Sequence, residues 1–378
     1  MNVSHRLTEL RSFMEKNDIA VSIVMNPDNQ FYLSGFKAIL YSRPIVLSIM
    51  ENKVDLVVPG LEEAHAKSEA NADEIHVYYE HPEMSEQAAN HTTLVKKILS
   101  GYSKDTRIGF DLAHAPAELV FEVEKLGYKA VDVGRKITEM RYIKDQDEID
   151  LMIEAGQLVN LAVSKSLESC KPGVTELEID AVGNTALFSK TASKHPNATL
   201  GFFVMSPSGE KRSIMPHVFS NTRKLNVGDV MIHSRQVAFN GYRAELERTV
   251  IIGKPTEQQI KAFKTAQNAQ QAALEFIKPG VTAAQVDKVA RDVIEKEGFG
   301  KYAIHRVGHG IGVSEHEEPY LRFDNDLVLE DGMAFSIEPG FYIPGLGGFR
   351  HSDTVILTPD GNKIITEYPR DLESLVFD

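Results

Sequence analysis

The residues best suited to chemistry lie in the second half of the chain. Residues 241–249 read Gly-Tyr-Arg-Ala-Glu-Leu-Glu-Arg-Thr and follow the apolar run Val230-Met231-Ile232. That run predicts a buried strand on or beside this stretch. Glu245 and Glu247 stand two apart, so on an extended strand their carboxylates share one face. Acidic residues on a strand face are ordinarily just solvated. The stretch gains weight from pieces elsewhere: Pro216-His217, Gly308-His309-Gly310-Ile311-Gly312, His316-Glu317-Glu318-Pro319, Ile337-Glu338-Pro339-Gly340 and Arg350-His351-Ser352-Asp353. Glutamates that face a cavity must pair with a cation or take up protons. A guanidinium or amidinium suits paired carboxylates, and arginines grip a carboxylate in the same bidentate way. His217 can take a proton from water and return it to a leaving nitrogen.

These residues need a scaffold, and the apolar pattern supplies one. Leu7, Leu10, Phe13 and Met14 are spaced for a helix. Short apolar runs at 20–25, 45–49 and 54–58 read as strands, as do segments near 74–79, 107–111 and 129–133, with helical stretches between them. That is an α/β domain with a sheet covered by helices. Asn26-Pro27-Asp28 is expected to begin a turn before Phe31. A join follows near residue 140, where Met140-Arg141-Tyr142-Ile143-Lys144-Asp145 leads into a helical pattern carrying Glu148, Ile149, Met152 and Ile153. Beyond it the sequence Lys-Pro-Gly-Val-Thr occurs twice, at 171–175 and 278–282. Pro and Gly stop one helix and Thr caps the next, so the repeat predicts a duplicated helix-pair-plus-sheet unit.

The bulk properties narrow the function classes. The 378 residues, 42% hydrophobic and 25% charged, are long enough for two domains. A net charge of −13 disfavours nucleic acid and anionic membranes as partners. The single cysteine, Cys170, excludes an intramolecular disulfide and argues against a cysteine metal site. No run approaches about 18 consecutive apolar residues, and the first residues lack a leader-like apolar stretch. A cytoplasmic location is the expectation.

Taken in order, the chemical pieces make the chain resemble the pita-bread (M24) superfamily of Xaa-Pro peptidases, methionine aminopeptidases and creatinase over essentially its whole length. The resemblance implies an α/β (α+β) chain. Residues 1–138 would form an N-terminal creatinase-type domain. Residues 139–378 would form a catalytic pita-bread domain of two units related by a pseudo-two-fold. Metal-dependent members hold two divalent ions with two Asp, one His and two Glu. The matching positions here are Ser234, Glu245, His309, Glu338 and Ser352. Both serines belong to the same ion position, and serine is a poor ligand for a hard divalent ion. An ion pair is therefore not expected, and no cofactor is required. A lone ion at His309, Glu338 and Glu245 remains open, since three ligands plus water suffice.

Creatinase, a metal-independent member, matches more of the residues. It carries Leu-Glu-Arg-Thr, as at 246–249 here. Its pattern implies His217 as the proton-transfer residue, with Glu247 and Glu338 against a substrate guanidinium. Arg43 and Arg322 would take the substrate carboxylate, Arg43 reaching across from the partner subunit of a homodimer. His309, His316, Tyr242, Glu245 and His351 would line the substrate region, His351 standing beside Ser352 where creatinase has a histidine. The implied function is metal-independent hydrolysis of a C–N bond in a small zwitterionic guanidino- or amidino-carboxylate, such as creatine or ectoine. The alternatives are an Xaa-Pro dipeptidase or aminopeptidase with an altered metal site, and a non-catalytic pita-bread binding protein.

Overall fold

A computed structural model describes residues 3–39, 41–84 and 89–378, and the chain divides into two compact units, Met1–Arg141 and Tyr142–Asp378. In the first unit, helix α1 (Ser4–Lys16) buries Leu7, Leu10 and Met14, the face its spacing predicts. Six strands follow: β1 (Ile19–Val24), β2 (Val46–Met50), β3 (Val54–Pro59), β4 (Glu74–Tyr78), β5 (Arg107–Phe110) and β6 (Lys129–Asp132). They form one mixed sheet in the order β4-β3-β2-β1-β5-β6. The intervening helices are α2 (Pro27–Ser34), α3 (Glu63–Glu69), α4 (His91–Leu99), α5 (Ala117–Lys125) and α6 (Gly134–Met140). Each sheet face has its own apolar core. Leu10, Leu47, Ile49 and Ile137 meet on one side, and Val21, Ile23, Leu94 and Val123 on the other. The turn expected at Asn26 is the start of α2. The Asn26 side chain accepts from the Asn29 N–H, Pro27 needs no donor partner in the first turn, and Gly35 ends the helix at φ 73°.

The second unit is built from two helix pairs and a long sheet. The first pair is α7 (Gln146–Glu168) and α8 (Glu176–Lys194), followed by β7 (Leu200–Met205), the single turn α9 (Gly209–Arg212), β8 (Val230–Phe239) and β9 (Tyr242–Ile252). The second pair is α10 (Glu257–Phe276) and α11 (Ala283–Lys296), followed by β10 (Gly308–Gly310), β11 (Glu317–Leu321), β12 (Ala334–Ile337), β13 (Gly340–Ile343), β14 (Gly347–Arg350), β15 (Ser352–Thr358), β16 (Gly361–Ile364) and β17 (Val376–Phe377). The repeated Lys-Pro-Gly-Val-Thr performs the same task twice. Thr175 caps α8 in a reciprocal box with Glu178, and Thr282 caps α11 in one with Gln285. The glycines before them, Gly173 and Gly280, turn at φ 90° and 91°.

The sheet order β11-β10-β12-β15-β9-β8-β7 makes the duplication visible. Reading outward from the β9–β15 junction, β9-β8-β7 follows the first helix pair and β15-β12-β10 follows the second. The halves meet where β15 pairs with β9, at Ser352↔Glu247 and Asp353↔Leu246. Side chains on one sheet face point to the helices. The opposite face, around this junction, carries the acidic residues.

Candidate functional site

The site begins with strand alternation on β9. Tyr242, Ala244, Leu246 and Arg248 point to the helix side. There Tyr242 Oη donates to Glu148 Oε1 of α7 (2.8 Å), and Arg248 pairs with Asp353 (3.1 Å) while donating to the carbonyls of Glu247, Ser352, Tyr368 and Pro369. Glu245 and Glu247 point the other way, both almost fully buried. Antiparallel register then fixes their neighbours. Gln236 on β8 stands opposite Glu245, Ser234 opposite Glu247, and Ser352 on β15 opposite Glu247 from the other side. His309 on β10 faces Ser336 of β12 and Tyr320 of β11. Glycines 308 and 310 leave room for those strands: a Cβ on Gly308 would run into the Ser336 carbonyl, and one on Gly310 into the carbonyls of Glu317 and Glu318. Glu338 follows β12 directly, and Arg350 ends β14.

Four groups define the electrostatics. Glu247 and Arg350 form a bidentate ion pair, Oε1 to Nη2 and Oε2 to Nε, both at 2.6 Å. Arg350 also donates to Tyr342 Oη (3.0 Å), which sits 2.9 Å from His305 Nε2. Glu245 accepts from Gln236 Nε2 (2.5 Å), Ser336 Oγ (2.5 Å) and Ser352 Oγ (2.9 Å). Three donors leave one of its about four acceptor positions open. Glu338 lies 3.5 Å from His309 Nε2 and 3.8 Å from Arg350 Nε. Burial, reinforced by Glu245 and opposed by Arg350, pushes the Glu338 carboxyl well above the usual carboxylate range. Burial likewise lifts Glu247, with Arg350 opposing it.

The histidines are held neutral. His309 is fully buried, and burial lowers its affinity for a proton. Its Nδ1–H donates to the Gly310 carbonyl (2.9 Å), which leaves the Nε2 lone pair aimed into the site with no hydrogen-bond partner. A buried ring nitrogen in that state is a ready metal ligand. His316 stacks on His309 with ring centroids 3.8 Å apart, and burial holds it at about 4. Burial, then Arg350, holds His305 at about 3.

The charges test how many metal ions these residues fit. Ligand atoms of Glu245, Glu247 and Glu338 lie within 4.8 Å of one another, and so do those of Glu245, His309 and His316. Three carboxylates against the one Arg350 guanidinium leave a formal charge of −2, which a single divalent ion cancels. Two divalent ions would leave +2 in a buried site. They would also need carboxylates where Ser234 and Ser352 stand, and Arg350 already occupies both Glu247 oxygens. One ion at Glu245, His309 and Glu338 fits this chemistry; a pair does not.

A cavity of about 750 Å³ opens in front of these groups, lined by His217, Arg306, His316, Arg322, Glu338 and Arg350 among others. The structure therefore gathers Glu245, Glu247, His309, His316, Glu338, His217 and Arg322 around one buried junction and its mouth. His217 is on the exposed loop before β8, and burial followed by Arg350 and Arg306 lowers its proton affinity. Arg322 pairs with Asp324 at 2.5 Å in the mouth. Two expected residues lie elsewhere. Tyr242 is turned to α7. His351 is turned the same way, its ring packed edge-on against Phe263 of α10 at 4.8 Å. Arg43, expected to act from the partner subunit, belongs to the N-terminal unit, where it pairs with Glu80 (2.8 Å) and lines a cavity of that unit with Tyr78, Tyr79 and Glu80. Gln236 and Ser336, which bind Glu245, went unnoticed in the sequence, because a neutral residue becomes part of such a site only through strand register. Arg306, in the loop before β10, carried no motif to mark it.

Residues 150–359 match metallopeptidase family M24, and residues 6–143 match the creatinase/prolidase N-terminal domain. A putative dipeptidase of Bacillus subtilis is 32% identical over 97% of this chain and 99% of its own length. The Xaa-Pro dipeptidase of Pyrococcus furiosus is 31% identical over 98% of this chain and all of its own. Among solved structures, the prolidase of Pyrococcus horikoshii superposes with a TM-score of 0.85 at 28% identity, covering 98% of this chain and all of that one. These matches overturn the expectation of a creatinase-like, metal-independent amidinohydrolase. The physical reason lies in Glu247. The residue that weighted the expectation toward a substrate guanidinium is already bound through both oxygens by the chain's own Arg350.

Proposed function

Because the chain belongs to metallopeptidase family M24, and so is a hydrolase of C–N bonds, we propose that it is a dipeptidase of the Xaa-Pro type working with one divalent ion at Glu245, His309 and Glu338. The single observation that carries this reading is the unpartnered, buried Nε2 of His309 facing two glutamates whose surplus charge matches one divalent ion. An ion there would polarise the scissile carbonyl and make bound water acidic enough to attack near neutral pH. The protein's own groups do the rest. Glu338 reaches the cavity, where its carboxylate would both hold the ion and orient the attacking water. Gln236, Ser336 and Ser352 fix the Glu245 carboxylate. The Glu247–Arg350 pair fills the space between Ser234 and Ser352 and supplies a fixed positive charge beside Glu338. His217 and His316, neutral at the cavity wall, are placed to contact the dipeptide.

The test is hydrolysis of Ala-Pro and of Ala-Ala by protein treated with EDTA and then resupplied with manganese or cobalt. The reading expects cleavage of Ala-Pro that is lost with chelation and restored by the metal. Ala-Pro cleavage that is indifferent to EDTA would refute the single-ion site.

A further inference from the structure

We propose that Glu176, fully buried in the first turn of α8, is a positioning residue for His217: together with Arg212 it clamps both limbs of the loop that carries this histidine to the cavity wall. This rests on the dipeptidase reading above, in which His217 contacts the substrate. The connection from β7 to β8 covers residues 206–229, and Glu176 takes hydrogen bonds from both sides of its bend. On the outgoing limb its Oε1 accepts from the Ser208 N–H (2.8 Å), Ser208 Oγ (2.7 Å) and Arg212 Nε (3.1 Å). Its Oε2 accepts from Arg212 Nη2 (2.9 Å) and, on the returning limb, from the Asn221 N–H (3.0 Å). Arg212 Nη2 also donates to the Phe219 carbonyl (2.7 Å), so one guanidinium ties the two limbs together. These donors fill the about four acceptor positions of a carboxylate, which leaves Glu176 no capacity for a ligand of its own.

Other contacts narrow the free part of the loop further. Asp180, one turn along α8 from Glu176, takes hydrogen bonds from Ser206 and Ser220, and Ser220 Oγ accepts from the Ser206 N–H (2.7 Å). Ser213 is fixed from the sheet side, where its Oγ accepts from the Gly348 N–H of β14 (3.1 Å). A Cβ on Gly348 would strike the Ser213 carbonyl, so the close approach requires glycine there. Residues 214–218 are what remains between the fixed points, and His217 is the one polar side chain among them. Its ring is exposed, so the backbone beneath it sets its place at the cavity wall. Hydrogen bonds to a buried charge are the strong ones, which suits them to hold so short a span against its conformational entropy. Misplacing a contacting group by about 1 Å can cost up to about a hundred-fold in rate, so such a clamp matters to a reaction it never touches.

The experiment compares manganese-loaded wild type with Glu176→Gln, Arg212→Met, Arg212→Lys, His217→Ala and the double variant of Arg212→Met with His217→Ala. Arg212→Met cuts the tie between the limbs and leaves Glu176 its bonds to Ser208 and Asn221, so it carries the test even if Glu176→Gln fails to fold. Arg212→Met and Glu176→Gln should each lower kcat/KM for Ala-Pro about two- to ten-fold, mainly through KM, and by no more than His217→Ala does. Arg212→Lys keeps the charge and a donor for Phe219 and should recover part of the loss. In the His217→Ala background Arg212→Met should cost nothing further, because the clamp then has no histidine to place. An equal loss in both backgrounds overturns the proposal. Hydrogen exchange followed by mass spectrometry reads the clamp without turnover. Amides of residues 213–221 should exchange at least about ten-fold faster in Arg212→Met, with β8 and β9 unchanged. Unchanged exchange in the loop, or faster exchange spread across β8 and β9, also overturns it. If wild type cleaves no Ala-Pro, the dipeptidase reading falls and the exchange measurement alone decides the clamp.

Discussion

Replacing Glu247 by glutamine removes one half of a buried ion pair whose side chains are 2% and 4% exposed. Breaking such a pair costs about 3–5 kcal/mol, because the remaining charge stays buried. Glu247→Gln leaves Arg350 with Tyr342 and, at 3.8 Å, Glu338. Arg350→Met leaves three buried carboxylates with no cation among them, so it should be the more damaging change. For a unit of this size each kcal/mol moves Tm by roughly 2–4 °C, which predicts losses of roughly 6–20 °C. The double variant orphans neither charge and should lose less than the sum of the singles, by about 0.5–3 kcal/mol. Ion affinity gives a second readout with opposite signs. Glu247→Gln reduces the site's formal charge from −2 to −1 and should weaken divalent binding, whereas Arg350→Met takes it to −3 and should strengthen it. The assay is thermal unfolding with and without manganese, alongside metal titration. Additive stability losses, or the same direction of affinity change in both single variants, would refute the reasoning.

Other expectations follow from the same structure. Thr175→Ala and Thr282→Ala each remove a reciprocal helix cap and should each cost about 1 kcal/mol; denaturant midpoints check this, and unchanged midpoints would show the caps to be idle. Burial pushes the Cys170 thiol up to about 12, so at pH 8 it should react with a thiol reagent only after unfolding, and stoichiometric labelling of the native protein would contradict this. Burial, then Arg248, holds His351 at about 3, well below its unfolded value of about 6.5. Its neutral folded form therefore favours the native state above about pH 6.5, and that stability is lost as pH falls toward 3, by up to about 1.4 kcal/mol per pH unit. His351→Phe should flatten the acid side of the stability curve, and an unchanged slope would count against it. The homodimer implied by the family resemblance is checked by sedimentation at assay concentration, where a purely monomeric active enzyme would remove it.

The fold was largely legible because its signals are local. Apolar periodicity marked α1 and the strands of the first unit, and in the second the run that begins β8. The twice-used Lys-Pro-Gly-Val-Thr marked the duplication, since a proline, a glycine turning at positive φ and a capping threonine form a helix junction by themselves. The acidic face was legible from Glu245 and Glu247 standing two apart. What escaped was set by pairing between distant segments. Whether Glu247 meets a substrate or an internal arginine depends on β14 bringing Arg350 to it, 103 residues away in sequence. The adjacent positions His351 and Ser352 point to opposite sheet faces, so His351 could not substitute for its neighbour. At Asn26 the expected turn proves to be a helix start, because an asparagine cap followed by proline opens a helix.

The central claim, one divalent ion held by Glu245, His309 and Glu338, is tested most directly by counting bound metal. Apoprotein is titrated with manganese at constant pH, and bound ions per chain are measured for wild type and for His309→Ala. The structure predicts about one ion per chain for wild type and its loss in the variant. Two ions per chain, or one ion retained at undiminished affinity without His309, would contradict it.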